Sequence, residues 1–104
     1  MSTRNLKCLF RPESVAVIGA TTKARAPGSV VMANLLRSGF AGPVMPVTAE
    51  ARSVAGVLAY PDVASLPMAP DLALICTPAE TIPGVITALG QRGTLAACIM
   101  TPAL

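Results

Sequence analysis

Ser14-Val-Ala-Val-Ile-Gly-Ala-Thr-Thr-Lys-Ala-Arg-Ala-Pro-Gly-Ser-Val-Val-Met-Ala-Asn34 is the stretch on which the fold turns. Val15 to Ile18 is a short apolar run rich in β-branched residues and too brief for a helix. It reads as a strand buried on both faces, as in a parallel sheet. Gly19 ends it, and a small polar, basic loop follows from Ala20 to Arg25. Pro27, Gly28 and Ser29 then open a second apolar segment with helical character. Strand, glycine turn, basic loop and helix start are the parts that direct backbone N–H groups at a phosphate.

The remainder repeats the alternation. A helix is expected over Gly28 to Arg37 with Gly39 as its stop, and most of it should be buried, because Val30, Val31, Met32, Leu35 and Leu36 cover much of its circumference. A strand follows at Gly42 to Val47, weakened by Pro43 and Pro46. Val54 to Tyr60 suggests one short edge strand, and Pro61-Asp62 begins a helical turn through Leu66. Leu72 to Cys76 is another buried strand. Ile82, Val85, Ile86 and Leu89 recur at i, i+3, i+4 and i+7, one helix face, with Thr81 as the expected N-cap and Gly90 or Gly93 as the end. Leu95 to Met100 is the last strand. Leu9 and Phe10 are placed at one edge of the core. Strands alternating with helices give an α/β, Rossmann-like three-layer domain with a mostly parallel open sheet.

Bulk properties narrow the function. The 104 residues suffice for one domain, taken as 1–104, and 53% of them are hydrophobic against 12% charged. No uncharged stretch, Gly93 to Leu104 included, reaches the roughly 20 apolar residues of a membrane span, and that one is broken by Pro102. No signal peptide is visible, so the cytoplasm is the expected location. The net charge of +3 is scattered, without the basic stripe of a nucleic-acid binder. Cys8, Cys76 and Cys98 have neither metal-site nor disulfide spacing, and Cys76 and Cys98 read as buried small hydrophobes. With no histidine, His-based catalysis and phosphohistidine chemistry are absent from this sequence. No catalytic or metal-ligating set is visible, so the chain is expected to bind and not to turn over.

In open parallel sheets, ligands bind at the carboxyl ends of the strands. Here those loops are Gly19–Ala26, Thr48–Ser53, Thr77–Glu80 and Thr101–Leu104, and they should line one crevice. Candidate contacts are Gly19, Ala20, Thr21, Lys23, Arg25, Gly28, Ser29, Thr48, Arg52, Thr77 and Pro78. The dinucleotide fingerprint Gly-x-Gly-x-x-Gly is missing, and Thr48 stands where an NAD-binding carboxylate is expected, with Glu50 nearby in the loop. A P-loop is missing as well. NAD(P) is therefore disfavoured, although an NAD(P)- or other nucleotide-binding Rossmann domain stays open, as does a degenerate regulatory or interaction domain.

The segments Leu9–Thr21, Asn34–Val47, Val54–Pro61, Pro70–Ala79 and Leu89–Gly93, in that order, resemble the CoA-binding domain of ADP-forming acyl-CoA synthetases. That domain is similar to the N-terminal part of the succinate–CoA ligase alpha subunit and also begins bacterial proteins that carry a GNAT acetyltransferase. The resemblance implies that coenzyme A or acyl-CoA lies across the strand ends. Gly19, Ala20, Thr21 and the helix start at Gly28 would meet its phosphates, residues after the second strand its adenosine, and Thr77 and Pro78 its pantetheine arm. The chain then reads as a truncated or excised module, with further domains or self-association covering an apolar face. The family usually carries Asn-Pro-Lys after the second strand; here Thr48-Ala49-Glu50 removes a cation and adds a carboxylate. In the first loop only Gly28 keeps the family position.

Overall fold

A computed structural model describes residues 11–100 of the chain. The order of elements is β1 (Val15–Ile18), α1 (Pro27–Arg37), β2 (Val44–Val47), β3 (Ser53–Val54), β4 (Val57–Leu58), a 3₁₀ turn (Val63–Ser65), β5 (Leu72–Ile75), a second 3₁₀ turn (Ala79–Thr81), α2 (Ile82–Arg92) and β6 (Ala96–Ile99). β1, β2, β5 and β6 form a four-stranded sheet in the order β2-β1-β5-β6, parallel throughout. The central strand β1 is buried along its whole length, as an unbroken apolar run in a parallel sheet should be. Ser14 anchors the sheet's lower end: its Oγ accepts the Asp71 amide at 3.0 Å and its carbonyl accepts the Leu72 amide at 3.2 Å.

The alternation of side chains along each strand divides the core in two. Ala16, Ile18, Met45, Val47, Ala73 and Ile75 face α2 through Leu89, and Val63 and Leu66 complete that layer. Val17 and Ala20 face the other way, onto Met32 of α1 and Val54 of β3. This is the three-layer α/β arrangement expected, with a helix on each side of the sheet. The chain moves from β1 outward to β2 and then returns to the other side of β1 for β5. The reversal sits between β1 and β5, where such sheets bind ligands.

Several local expectations are corrected. Val54 to Tyr60 is not one edge strand. It is a separate hairpin, β3 and β4, because Ala55 and Gly56 both take positive φ (53° and 83°), the pair of conformations a two-residue type I′ turn requires. Of this stretch Tyr60 is the residue that hydrogen-bonds to the main sheet: its amide donates to the Pro46 carbonyl and its carbonyl accepts the Thr48 amide, closing the outer edge of β2. Thr81 stands at the N-cap position of α2, as expected, but its side chain makes no capping bond. Its hydroxyl donates to the Pro78 carbonyl at 2.7 Å, since a 3₁₀ turn already leads into the helix. α2 ends at Gly93, whose φ of 94° suits glycine.

α1 is not mostly buried: Gly28 and Met32 are, while Val30 and Leu36 are 47% and 43% exposed, because the helix lies on the sheet along one face only. Ile86 of α2 is likewise exposed. Cys76 and Cys98 are half-buried rather than buried: Cys98 lies on β6, an edge strand with its outer side open, and Cys76 stands just past the end of β5. Leu9, Phe10, Cys8 and the Thr101–Leu104 loop lie outside the described residues. No helix of the described residues is long and apolar enough to cross a membrane.

Candidate functional site

The carboxyl ends of β1, β2 and β5 open into a cleft of about 670 Å³. Ile18 and Gly19 line it from β1, Val47 to Glu50 from β2, and Thr77 from β5. Its far wall is the Pro61–Ala64 turn together with Thr81, Gly84, Val85 and Ala88 of the α2 side. The lining is mostly apolar; its polar side chains are Thr48 and Glu50 after β2, Thr77 after β5, and Asp62 and Thr81 on the far wall. A smaller hollow of about 410 Å³ adjoins it, sharing Thr48, Ala49, Glu50 and Pro61, and adds Ala51, Arg52, Leu58 and Ala59.

Local geometry holds these walls in place. Gly19 has φ of 88°, and a Cβ there would meet Thr77 Cγ2 at 2.8 Å and the Cys76 carbonyl carbon at 3.0 Å. The exits of β1 and β5 therefore pack directly on each other at the switch point, and only glycine fits between them. The amide of Glu50 donates to Thr48 Oγ1 at 3.2 Å, folding the loop after β2 into a tight turn. Asp62 Oδ1 accepts from both the amide (2.8 Å) and hydroxyl (2.7 Å) of Ser65, which caps the 3₁₀ turn on the cleft wall.

Of the residues singled out from sequence, Gly19, Thr48 and Thr77 line the cleft and Arg52 lines the adjoining hollow. Ala20, Thr21, Lys23, Arg25, Gly28, Ser29 and Pro78 line neither. Ala20 is buried in the α1-side core, and Gly28 is buried where α1 meets β1. Several amides expected to face a phosphate are engaged within the protein. Gly19 donates to the Val47 carbonyl at 3.0 Å, the Lys23 amide to Thr21 Oγ1, and the Ser29 amide to the Ala26 carbonyl. The Gly28 amide has no acceptor within α1, and the cap residue Ala26 supplies no side-chain acceptor. Lys23 and Arg25 are exposed in the β1–α1 loop, with Arg25 at φ of 71°.

Sequence reading missed the far wall. The Pro61–Ala64 turn and the α2 face carry no motif; the signal available was the helical period itself, which puts Thr81, Gly84, Val85 and Ala88 on one side. Beyond the cleft, Cys76 follows β5, and burial, with Cys98 close by, pushes its thiol up to about 11. Cys98 Sγ lies 3.7 Å from Met100 Sδ.

A parallel α/β sheet with its cleft at a topological switch defines the class of nucleotide-binding-type Rossmann-like domains. Residues 13–103 match the family described as CoA binding domain, and the chain belongs to that family. It is 36% identical over 97 residues to acetate–CoA ligase (ADP-forming) II of Archaeoglobus fulgidus, covering 93% of this chain and 14% of that protein. It is 36% identical over 93 residues to the alpha subunit of acetate–CoA ligase (ADP-forming) I of Pyrococcus furiosus, covering 86% of this chain and 20% of the subunit. The dinucleotide-forming acetyl-coenzyme A synthetase 1 of Ca. Korarchaeum cryptofilum, solved with phosphate and ADP, superimposes with a TM-score of 0.91 at 34% identity, over 98% of this chain and 22% of that one. The chain therefore spans a fifth or less of the curated relatives named here. Family membership supports CoA or acyl-CoA as the ligand.

Proposed function

We propose that this chain is a CoA- or acyl-CoA-binding module of an ADP-forming acyl-CoA ligase, and that by itself it binds without turnover. The observation that carries the reading is the cleft of about 670 Å³ between Gly19, Thr48 and Thr77, at the switch point of a sheet whose family is described as CoA binding. The diphosphate is assigned to the exit of β1 and the start of α1, through Ala20, Thr21 and Gly28, with the exposed Lys23 and Arg25 as counter-charges from the loop. The adenosine is assigned to Thr48–Arg52 and the pantetheine arm to Thr77 and Pro78. The relatives named above are ligases and a synthetase, which favours a ligase over an acetyltransferase as the parent protein. Further domains of that parent are the partners proposed for the exposed apolar residues Val30, Leu36, Ile86 and Ile99.

Isothermal titration of the chain with CoA, acetyl-CoA, NAD⁺ and NADP⁺ tests the reading. Saturable binding of CoA and acetyl-CoA is expected. Binding of NAD(P) alone would transfer the domain to the oxidoreductase class, and indifference to all of them would leave a docking domain with an unused cleft.

A further inference from the structure

We propose that Cys76, Cys98 and Met100 form a three-sulfur site for one soft monovalent metal ion, of which copper(I) is the biological representative. The site lies on the α1 side of the sheet, at the ends of β5 and β6. It is independent of the CoA-type reading, since none of the three residues lines the cleft or the adjoining hollow.

Sheet register brings the sulfurs together although their spacing in the sequence does not. Val17 faces α1, Leu74 is its partner across β1 and β5, and Cys98 is the partner of Leu74 across β5 and β6. Partners in register share a face and side chains alternate along a strand, so Cys76, Cys98 and Met100 all belong to the α1 side. Cys76 packs against that core layer. The Met100 amide still donates to the Ile75 carbonyl at 2.8 Å, which keeps β6 alongside β5 past the last paired residues and sets Met100 beside Cys76. Cys98 Sγ donates to Met100 Sδ at 3.7 Å, and the Cys98 thiol acts electrostatically on that of Cys76. Two sulfurs each about 2.3 Å from one ion, at a tetrahedral-type angle, stand at about that separation. The same geometry disfavours a disulfide: Cys76 and Cys98 are diagonal neighbours, which ordinary strand spacing puts about 8 Å apart at Cα, past the roughly 7 Å limit.

The ligand set picks the ion. The chain has no histidine, and among the described residues no three cysteine or carboxylate side chains gather as metal ligands. The third ligand here is a thioether, which together with thiolates selects copper(I) over magnesium or calcium. Met100 is 41% exposed, so the ion has an entrance from solvent. Binding releases the thiol protons to water and changes no oxidation state.

Titration of the reduced full chain with copper(I) against the chelator bicinchoninate, under argon, tests the proposal. A parallel series on Cys8→Ser removes the remaining cysteine. One ion per chain is expected in both, with X-ray absorption showing sulfur ligands alone. Cys98→Ser should lose the competition with bicinchoninate. Met100→Leu is a volume-conserving change at an exposed position, so it should keep the fold. It should weaken copper binding by at least the roughly 10- to 100-fold that follows loss of a group merely supporting a ligand. Cys76→Ser should weaken it likewise; because Cys76 packs on the core, circular dichroism checks that variant, and the other two carry the test if it does not fold. Unchanged copper affinity in folded Cys98→Ser or Met100→Leu would overturn the proposal. So would nitrogen or oxygen ligands in the absorption spectrum, binding abolished by Cys8→Ser, or failure of the unsubstituted chain to compete at all.

Discussion

A Cβ atom on Gly28 would stand 2.2 Å from the carbonyl oxygen of Gly19 and 3.0 Å from the Cα of Ala20. The first turn of α1 therefore rests on the backbone at the exit of β1, with no side chain between them. This contact positions the helix start beside the cleft. It also gives Gly28 a packing role that is separate from any phosphate contact. Gly28→Ala should destabilise the fold by about 1–3 kcal/mol or more, because the neighbouring atoms are backbone and have little freedom to yield. Urea unfolding should show a lower midpoint with an unchanged slope.

Gly84 offers the opposite case. It lies in α2 and lines the cleft, yet a Cβ there meets nothing within 4 Å. Gly84→Ala should raise stability by roughly 0.5–1 kcal/mol, the cost of glycine inside a helix. Gly84→Phe should keep the fold and place a ring in the cleft, weakening CoA binding at least tenfold by calorimetry. Unaltered affinity in a folded Gly84→Phe chain would show that the ligand lies elsewhere.

Arg92 and Arg37 each end a helix, but in different surroundings. The Arg92 guanidinium is half-buried and donates to the carbonyl of the buried Leu66, tying the end of α2 to the segment after the first 3₁₀ turn. Arg37 is exposed and bonds Asn34 Oδ1 on its own helix. Thermal unfolding should show Arg92→Ala destabilised by about 1.5–3 kcal/mol, and Arg37→Ala within about 0.5 kcal/mol of the parent.

Cys76 makes stability fall in alkali. Burial, and secondarily Cys98, raise its thiol from the usual 9.0 to about 11 in the folded chain. Between those values the unfolded chain loses the proton and the folded chain keeps it, so unfolding gains. The stabilisation is fully present below pH 9, declines as pH rises to about 11, and changes no further above that. Unfolding curves across this interval should be steeper in pH for the parent than for Cys76→Ala, in which this contribution is gone.

The layered fold was legible because its signals are local. Val15–Ile18 and Leu72–Ile75 are short apolar runs, and Ile82 to Leu89 carries a helical period, so element type followed from the residues themselves. The hairpin at Ser53–Leu58 was harder, because Ala55 adopts a positive φ that its side chain does not advertise. Burial of α1 was overestimated because an apolar circumference is compatible with a helix covered on one side only. The strand-end residues Gly19, Thr48 and Thr77 were found from topology, which dictates where strands finish. The opposite wall, from Pro61 to Ala64 and along α2, forms only through tertiary packing across sixteen or more positions of chain. No motif in the linear sequence marks it.

Amide chemical-shift mapping of the isotope-labelled chain during titration with CoA tests the central claim most directly, since it reports place as well as binding. The account predicts saturable shifts at Gly19, Ala20, Thr48, Glu50, Thr77 and Gly84, with Ala96 to Ile99 of the β6 edge unmoved. Shifts confined to β6, or a spectrum unchanged at millimolar CoA, would contradict it.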